Sequence, residues 1–375
     1  MNARIAAIDG LRGIAILLVV GFHYFSGHVL SFEPAEQAHA IAAVRGVYGG
    51  FPLFRYGYLG VMLFFAISGF VISQSLHGSN GPWSFAARRF ARLWPTMLLC
   101  CTATFLFSLV LPGVPRHPSD FLPSLTFIDP KIFNAVLCTN RFHWMDGVYW
   151  SLFTEVRFYA ITAILYFASP RHFFRSMLAF SCCVGVAFAV AIACDATRLR
   201  SLLNLLCIAT HLPWFTLGIG VFFAHAGQVR QAVVMCATSL MVLVVTSLAY
   251  LWHPVLPGYD ARACMADIAA GFAVLALMSV ATRPGVVGRL FSSRLISSIG
   301  IASYSLYLLH GRIGNGLLVW IGNPFGLSAA GCSLYPVIVA IAFILCSQII
   351  YRVWETPMNR LIVSRLLGPR VRTPG

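Results

Sequence analysis

Stretches of about twenty apolar residues recur along the whole chain, punctuated by Pro, Gly, Arg and aromatic residues. They fall at about 5–25, 57–76, 93–112, 148–168, 176–194, 203–224, 232–252, 263–281, 299–320 and 331–353. Each is long enough to cross a bilayer as a helix, so the pattern predicts an all-α, polytopic membrane protein with about ten transmembrane helices. An even number of spans would put both termini on one side. Asp9 and Arg12 interrupt the first run, and no small-residue cleavage site follows it. It therefore reads as a retained first helix rather than a signal peptide.

Composition agrees. The chain of 375 residues is 59% apolar and only 10% charged, which excludes a soluble globule with its charged share of about 25%. There is no repeat, no low-complexity linker and no second soluble domain, so residues 1–375 read as a single membrane domain. The longest polar stretches, near 27–56 and 113–147, contain Pro, Gly, Trp and acids and are expected to be ordered caps or binding loops. The segment from about Pro357 to Gly375 is expected to lie as a basic tail along the cytoplasmic surface.

The formal charge of +15 is mainly a topology signal, because cytoplasmic loops collect Arg and Lys. With the N-terminus inside, fifteen basic residues face the cytoplasm and eight the other side, leaving Arg12, Arg157 and Arg312 within membrane segments. Contact with anionic lipid is consistent with this distribution. The arginines punctuate spans instead of forming a soluble basic patch, so no nucleic-acid partner is expected. The eleven cysteines lie mostly in apolar runs, with no metal-ligand spacing to His, and no metal is expected. Cys138, Cys194 and Cys332 lie nearer the outer face, where a bridge is conceivable but its connectivity is not readable.

Ionisable residues inside the spans are costly and hence informative. The first run, IDGLRGIAILLVVGFH, places Arg12 and His23 eleven positions apart, on nearly one face and about 16 Å apart along the axis. Asp9, one turn before Arg12, is placed to pair with it and so lower the burial cost. In ARRFARLWP, Arg89 and Arg92 are one turn apart and suit a fork for phosphate oxygens, with a positive-inside anchor as the bland alternative. Ser151, Glu155 and Tyr159 form a polar stripe on the fourth span. Glu155 is expected near the depth of His23, where it would orient the imidazole as a general base. Ser303, Tyr307 and His310 share a later face and serve either helix packing or substrate contact. Trp144, Trp150, Asp120, Asp129 and Asp146 suit sugar contacts or an interfacial belt.

These residues resemble the acyltransferase 3 family of bacterial membrane acyltransferases. The matches are IDGLRGIAILLVVGFH with its Arg12 and His23, GYLGVMLFFAISGFVIS from Gly57, RFAR from Arg89 to Arg92, WSLFTEVRFY from Trp150, SYSLYLLH from Ser303, and ETP from Glu355 to Pro357. They occur in the family's order and cover essentially the whole chain.

The resemblance implies transfer of an acyl group, usually acetyl, from cytoplasmic acetyl-CoA to a hydroxyl of a saccharide or glycoconjugate, at or across the bacterial inner membrane. It implies that His23 is the essential histidine, Arg12 its paired arginine, and Arg89 and Arg92 the phosphate-holding pair, with both termini cytoplasmic. The fourth span departs from the pattern: only Glu155 remains where many members carry two consecutive acids. The appended hydrolase-like domain of some members is also absent, which points to direct transfer or to a separate protein. Asp9, Ser151, Tyr159, Tyr307 and His310 are the expected substrate contacts. A homo-oligomer or a polysaccharide-assembly partner fits the same class. The rival reading is a multi-helix transporter of an anionic or sugar-linked substrate, for which no interrupted helix pair in matching halves speaks.

Overall fold

The computed structural model describes residues 6–26, 47–110, 116–252, 260–283, 285–322 and 329–368, and among these there is no strand. The long helices are α1 (Ala6–Phe25), α2 (Leu59–His77), α3 (Pro82–Val110), α4 (Trp150–Ala168) and α5 (Phe173–Ala193). There follow α6 (Thr197–Cys207), α7 (Leu212–His225), α8 (Val229–Trp252), α9 (Ala261–Ala281), α10 (Ser303–Leu309), α11 (Asn315–Gly322), α12 (Ala329–Ile350) and α13 (Thr356–Leu367). Nine helical segments among the described residues are long and apolar enough to cross a membrane. The ninth predicted span, 299–320, is helical but broken: a π turn at His310–Gly314 separates α10 from α11. The protein is an all-α, multi-pass membrane protein.

Two boundaries differ from expectation for physical reasons. The third helix starts at Pro82 rather than near 93, because Ala and Arg are good helix formers and arginine heads can reach the interface. Arg88, Arg89 and Arg92 therefore lie inside a helix of 29 residues. The expected tail is helical as far as Leu367. After α12 a second π turn, Tyr351–Glu355, passes directly into α13. Pro357 lacks an N–H and would crowd an ordinary turn, and the wider π turn stands just ahead of it. Much of the polar stretch near 27–56, and the side chain of Cys332, lie outside the described residues. Cys138 and Cys194 are exposed free thiols.

The chain divides into two compact units that interleave in sequence. One comprises Met1–Leu11, Met62–Phe85 and Thr154–Ser293. Its centre is α7, in which every residue from Leu212 to Phe223 is buried. Phe215 stacks on Phe158 at 4.1 Å and on Phe65 at 4.6 Å. A Cβ at Gly218 would strike the Ala66 carbonyl, and one at Gly69 the Phe215 carbonyl, so α2 and α7 touch backbone to backbone. Small residues at such contacts are how helices gain dispersion energy in lipid. Thr216 and Ser239 add a buried hydroxyl pair between α7 and α8 at 2.7 Å.

The other unit comprises Arg12–Val61, Ala86–Phe153 and Arg294–Gly375. Tyr304 Oη donates to the Leu93 carbonyl at 2.9 Å, and Trp354 Nε1 donates to the Pro95 carbonyl at 2.9 Å. Gln348 Nε2 donates to the Ser298 carbonyl at 2.7 Å. Side-chain donors to helix carbonyls thus hold the C-terminal segments on α3 and on each other.

Candidate functional site

His23 lies in the last turn of α1, and its Nδ1 faces the Val19 carbonyl at 2.9 Å. A carbonyl only accepts, so Nδ1 carries the proton and Nε2 keeps its lone pair. His310 is built the same way: Nδ1 donates to the Tyr307 carbonyl at 2.7 Å. The two imidazoles meet edge to face, with centroids 4.8 Å apart. His310 is fully buried, and its Nε2 has no hydrogen-bond partner among the described residues. The pair offers two unprotonated ring nitrogens, one at a partly exposed ring and one in the core.

The π turn at His310 is made by side chains from elsewhere in the same unit. Tyr24 Oη donates to the His310 carbonyl at 3.1 Å, and Asp146 Oδ2 accepts from the Arg312 amide at 2.6 Å. Both insert where the helix has no side chain: a Cβ on Gly314 would strike the Tyr24 hydroxyl, and one on Gly311 the Asp146 carboxylate. Such insertion is a recognised cause of a local break in the helical ladder, and π turns recur at functional sites. Asp146 also accepts from the Val148 amide at 3.2 Å. Burial pushes its carboxyl above the ordinary range, against the pull of these amides and of the Arg312 and Arg116 guanidinium groups.

Ser151 and Tyr307 pair at 2.6 Å, and Tyr307 Oη donates to the Val148 carbonyl at 2.9 Å. Tyr149 Oη reaches the Leu308 carbonyl at 3.3 Å. The turn from Asp146 to Ser151 is thereby fastened to α10. Two expected substrate contacts, Ser151 and Tyr307, accordingly stand together beside the histidine pair.

Further along the unit, Arg89 and Arg92 lie one turn apart on α3, both partly exposed. Arg92 and Arg12 both act electrostatically on Glu355, which is 9% exposed. The structure thus gathers Arg12 and Arg92 around a buried carboxyl that the sequence offered only as the first letter of ETP.

Glu155, Tyr159, Asp9 and Arg157 belong to the other unit, whereas Asp120, Asp129, Trp144 and Trp150 belong to this one. Glu155 Oε1 accepts from Ser68 Oγ at 2.6 Å and from Tyr159 Oη at 2.5 Å. The stripe on α4 is therefore divided, Ser151 to one unit and Glu155 with Tyr159 to the other. Asp9 is buried. Arg157, one of the three arginines within membrane segments, donates to the Leu205 carbonyl at 2.7 Å and serves the C-terminal end of α6. Among the proposed sugar contacts, Asp120 accepts from the His117 and His143 amides, and Asp129 caps Pro130–Val136. Trp144 packs on Phe153 at 4.7 Å, whereas Trp150 is exposed.

Comparison with known proteins bears on what this arrangement does. Residues 5–352 match a family model described as an acyltransferase domain. The chain is 26% identical over 313 residues to a Komagataeibacter xylinus protein named as a membrane-bound transacylase, BcsY, covering 81% of this chain and 71% of that one. It is 24% identical over 386 residues to the acyltransferase MdmB of Streptomyces mycarofaciens, covering 96% and 93%. A shorter match, 29% identical over 180 residues, covers 43% of this chain and 81% of protein 2 in the picA locus of Rhizobium radiobacter. No solved structure matches.

Proposed function

The chain belongs to the acyltransferase 3 family, and from that premise we propose that this membrane acyltransferase moves an acetyl group from cytoplasmic acetyl-CoA to a hydroxyl of a saccharide or glycoconjugate. The observation that carries the reading is the fixed tautomer of His23, which leaves Nε2 as a base beside a second imidazole. His23 Nε2 takes the proton of the acceptor hydroxyl as its oxygen attacks the thioester carbonyl. The carbon–sulfur bond then breaks, and the departing thiolate receives that proton from the imidazolium. His310, Ser151 and Tyr307 line the acceptor side. Arg12, Arg89 and Arg92 hold the phosphates of CoA, for which paired guanidinium groups are suited. Glu155, a carboxylate gathering two hydroxyl donors, is the second catalytic candidate. The arginine distribution supports cytoplasmic termini, and the resemblance to bacterial membrane acyltransferases supports an inner-membrane location.

The test is thiol release from acetyl-CoA by purified protein, with an envelope-glycan extract as acceptor. Release should require the extract, vanish in His23→Ala, and fall in Arg89→Ala mainly through a raised KM. Glu155→Gln should lower kcat. A protein that neither binds acetyl-CoA nor releases thiol would refute the reading and favour a transporter. Acylated His23 trapped by mass spectrometry without acceptor would replace direct attack by a covalent route.

A further inference from the structure

Glu355 combines three observations. It closes the π turn Tyr351–Glu355, which directs its side chain inward instead of along the surface of α13. Its Oε2 is shielded and has no hydrogen-bond partner among the described residues. It also lies within electrostatic reach of Arg12 on α1 and of Arg92 and Cys100 on α3. Arg92, Thr96 and Cys100 are spaced four apart, a single face extending about 12 Å. The bond from Trp354 Nε1 to the Pro95 carbonyl, 2.9 Å long, pins the turn against that face.

A buried carboxyl oxygen left unsatisfied is costly, because the lost hydration is not replaced. Ordering Arg12 and Arg92 accounts for the charge of Glu355 but not for the unused lone pair of Oε2. That lone pair, beside two guanidinium groups, calls for an N–H or O–H donor. In the proposed function the donor substrate must run from the arginines towards His23. Between its phosphates and its thioester, CoA carries two secondary amides. Each amide N–H needs an acceptor once it leaves water.

We infer that Glu355 Oε2 accepts a hydrogen bond from an amide N–H of the pantetheine arm, so that Glu355 reads the arm of the acyl donor rather than its nucleotide. The inference rests on the acyl-CoA reading and adds to it the residue that recognises the amide-bearing arm.

Two probes separate the possibilities by equilibrium binding to the purified full chain: CoA, and adenosine 3′,5′-bisphosphate, which has phosphates but no pantetheine. Glu355→Met should weaken CoA binding about tenfold more than it weakens bisphosphate binding, and the bisphosphate binding that remains shows that the variant is folded. Glu355→Asp keeps the charge facing the arginines but withdraws the oxygen, and should behave the same way. It stands as the test if the Met variant does not fold. Glu355→Gln, which retains a carbonyl acceptor, should recover most of the CoA affinity. Parallel weakening of both probes would show that Glu355 acts only through the arginines, and unchanged binding of both would show no contact at all. Either result overturns the inference. Failure of the wild-type chain to bind either probe would instead overturn the acyl-CoA reading.

Discussion

At the scale of single residues, polar groups in the apolar runs are positioned by backbone carbonyls and by glycines. The Gly314 contact makes this testable. Gly314→Ala should destabilise the protein by about 1–3 kcal/mol, seen as a lower Tm in detergent. Much of the obstruction is the Tyr24 hydroxyl, so Tyr24→Phe should partly suppress that loss. Additive effects in the double-mutant cycle would contradict the close approach. His23 and Arg12 were legible because ionisable groups stand out against apolar surroundings. Tyr24 was not, although it is the next residue: tyrosine is ordinary in a membrane helix, and its partner is 286 positions away. Asp146 reads in the sequence as a loop acid suited to sugar contact or to an interfacial belt, yet it is 3% exposed and serves two amides. Only the folded chain decides whether a loop carboxylate meets solvent or backbone.

At the scale of elements, hydropathy located the spans but not their insides. On α12, Leu334, Ile338, Ile341, Leu345 and Ile349 are exposed while Val339, Phe343 and Ser347 are buried. Both faces are apolar, so periodicity carries little of the distinction that it does in water. The π turns were hidden for a related reason: each needs an inserted side chain or a proline downstream, and neither alters the hydropathy average. The arginine-bearing start of α3 falls outside the apolar run because charge lowers that average, although Arg89 and Arg92 read as helical neighbours and helix propensity there is high. The bond of Trp354 to the Pro95 carbonyl links α3 to the second π turn. Trp354→Phe keeps the aromatic surface and removes the donor. It should cost about 1 kcal/mol, measured as a shift in Tm, and a variant as stable as wild type would mean that the bond contributes nothing.

At the scale of the whole molecule, the arginine count supports a specific sidedness, and Cys138 reports on it. This exposed thiol lies in the polar segment after α3, which the proposed sidedness puts on the outer side. In a background with Cys194 and Cys332 replaced by Ser, a membrane-impermeant maleimide should label intact spheroplasts of cells expressing the protein, and Cys138→Ser should remove that label. Labelling at Cys138 only after the membrane is opened would invert the topology. Contacts divide the chain into two units that interleave in sequence. Interleaving depends on which distant helices pair, which composition does not encode. The bond between Tyr24 and the His310 carbonyl spans 286 positions, and this has a consequence for biosynthesis. At about 5–20 residues per second, a ribosome needs roughly 15–60 s to travel from one to the other. Throughout that interval the first helix holds His23 and Tyr24 in the bilayer with their eventual neighbours still unmade. The nascent chain therefore depends on whatever shelters a half-finished helix bundle, and a stop codon placed just before Ser303 should yield a product that quality-control proteases clear rapidly.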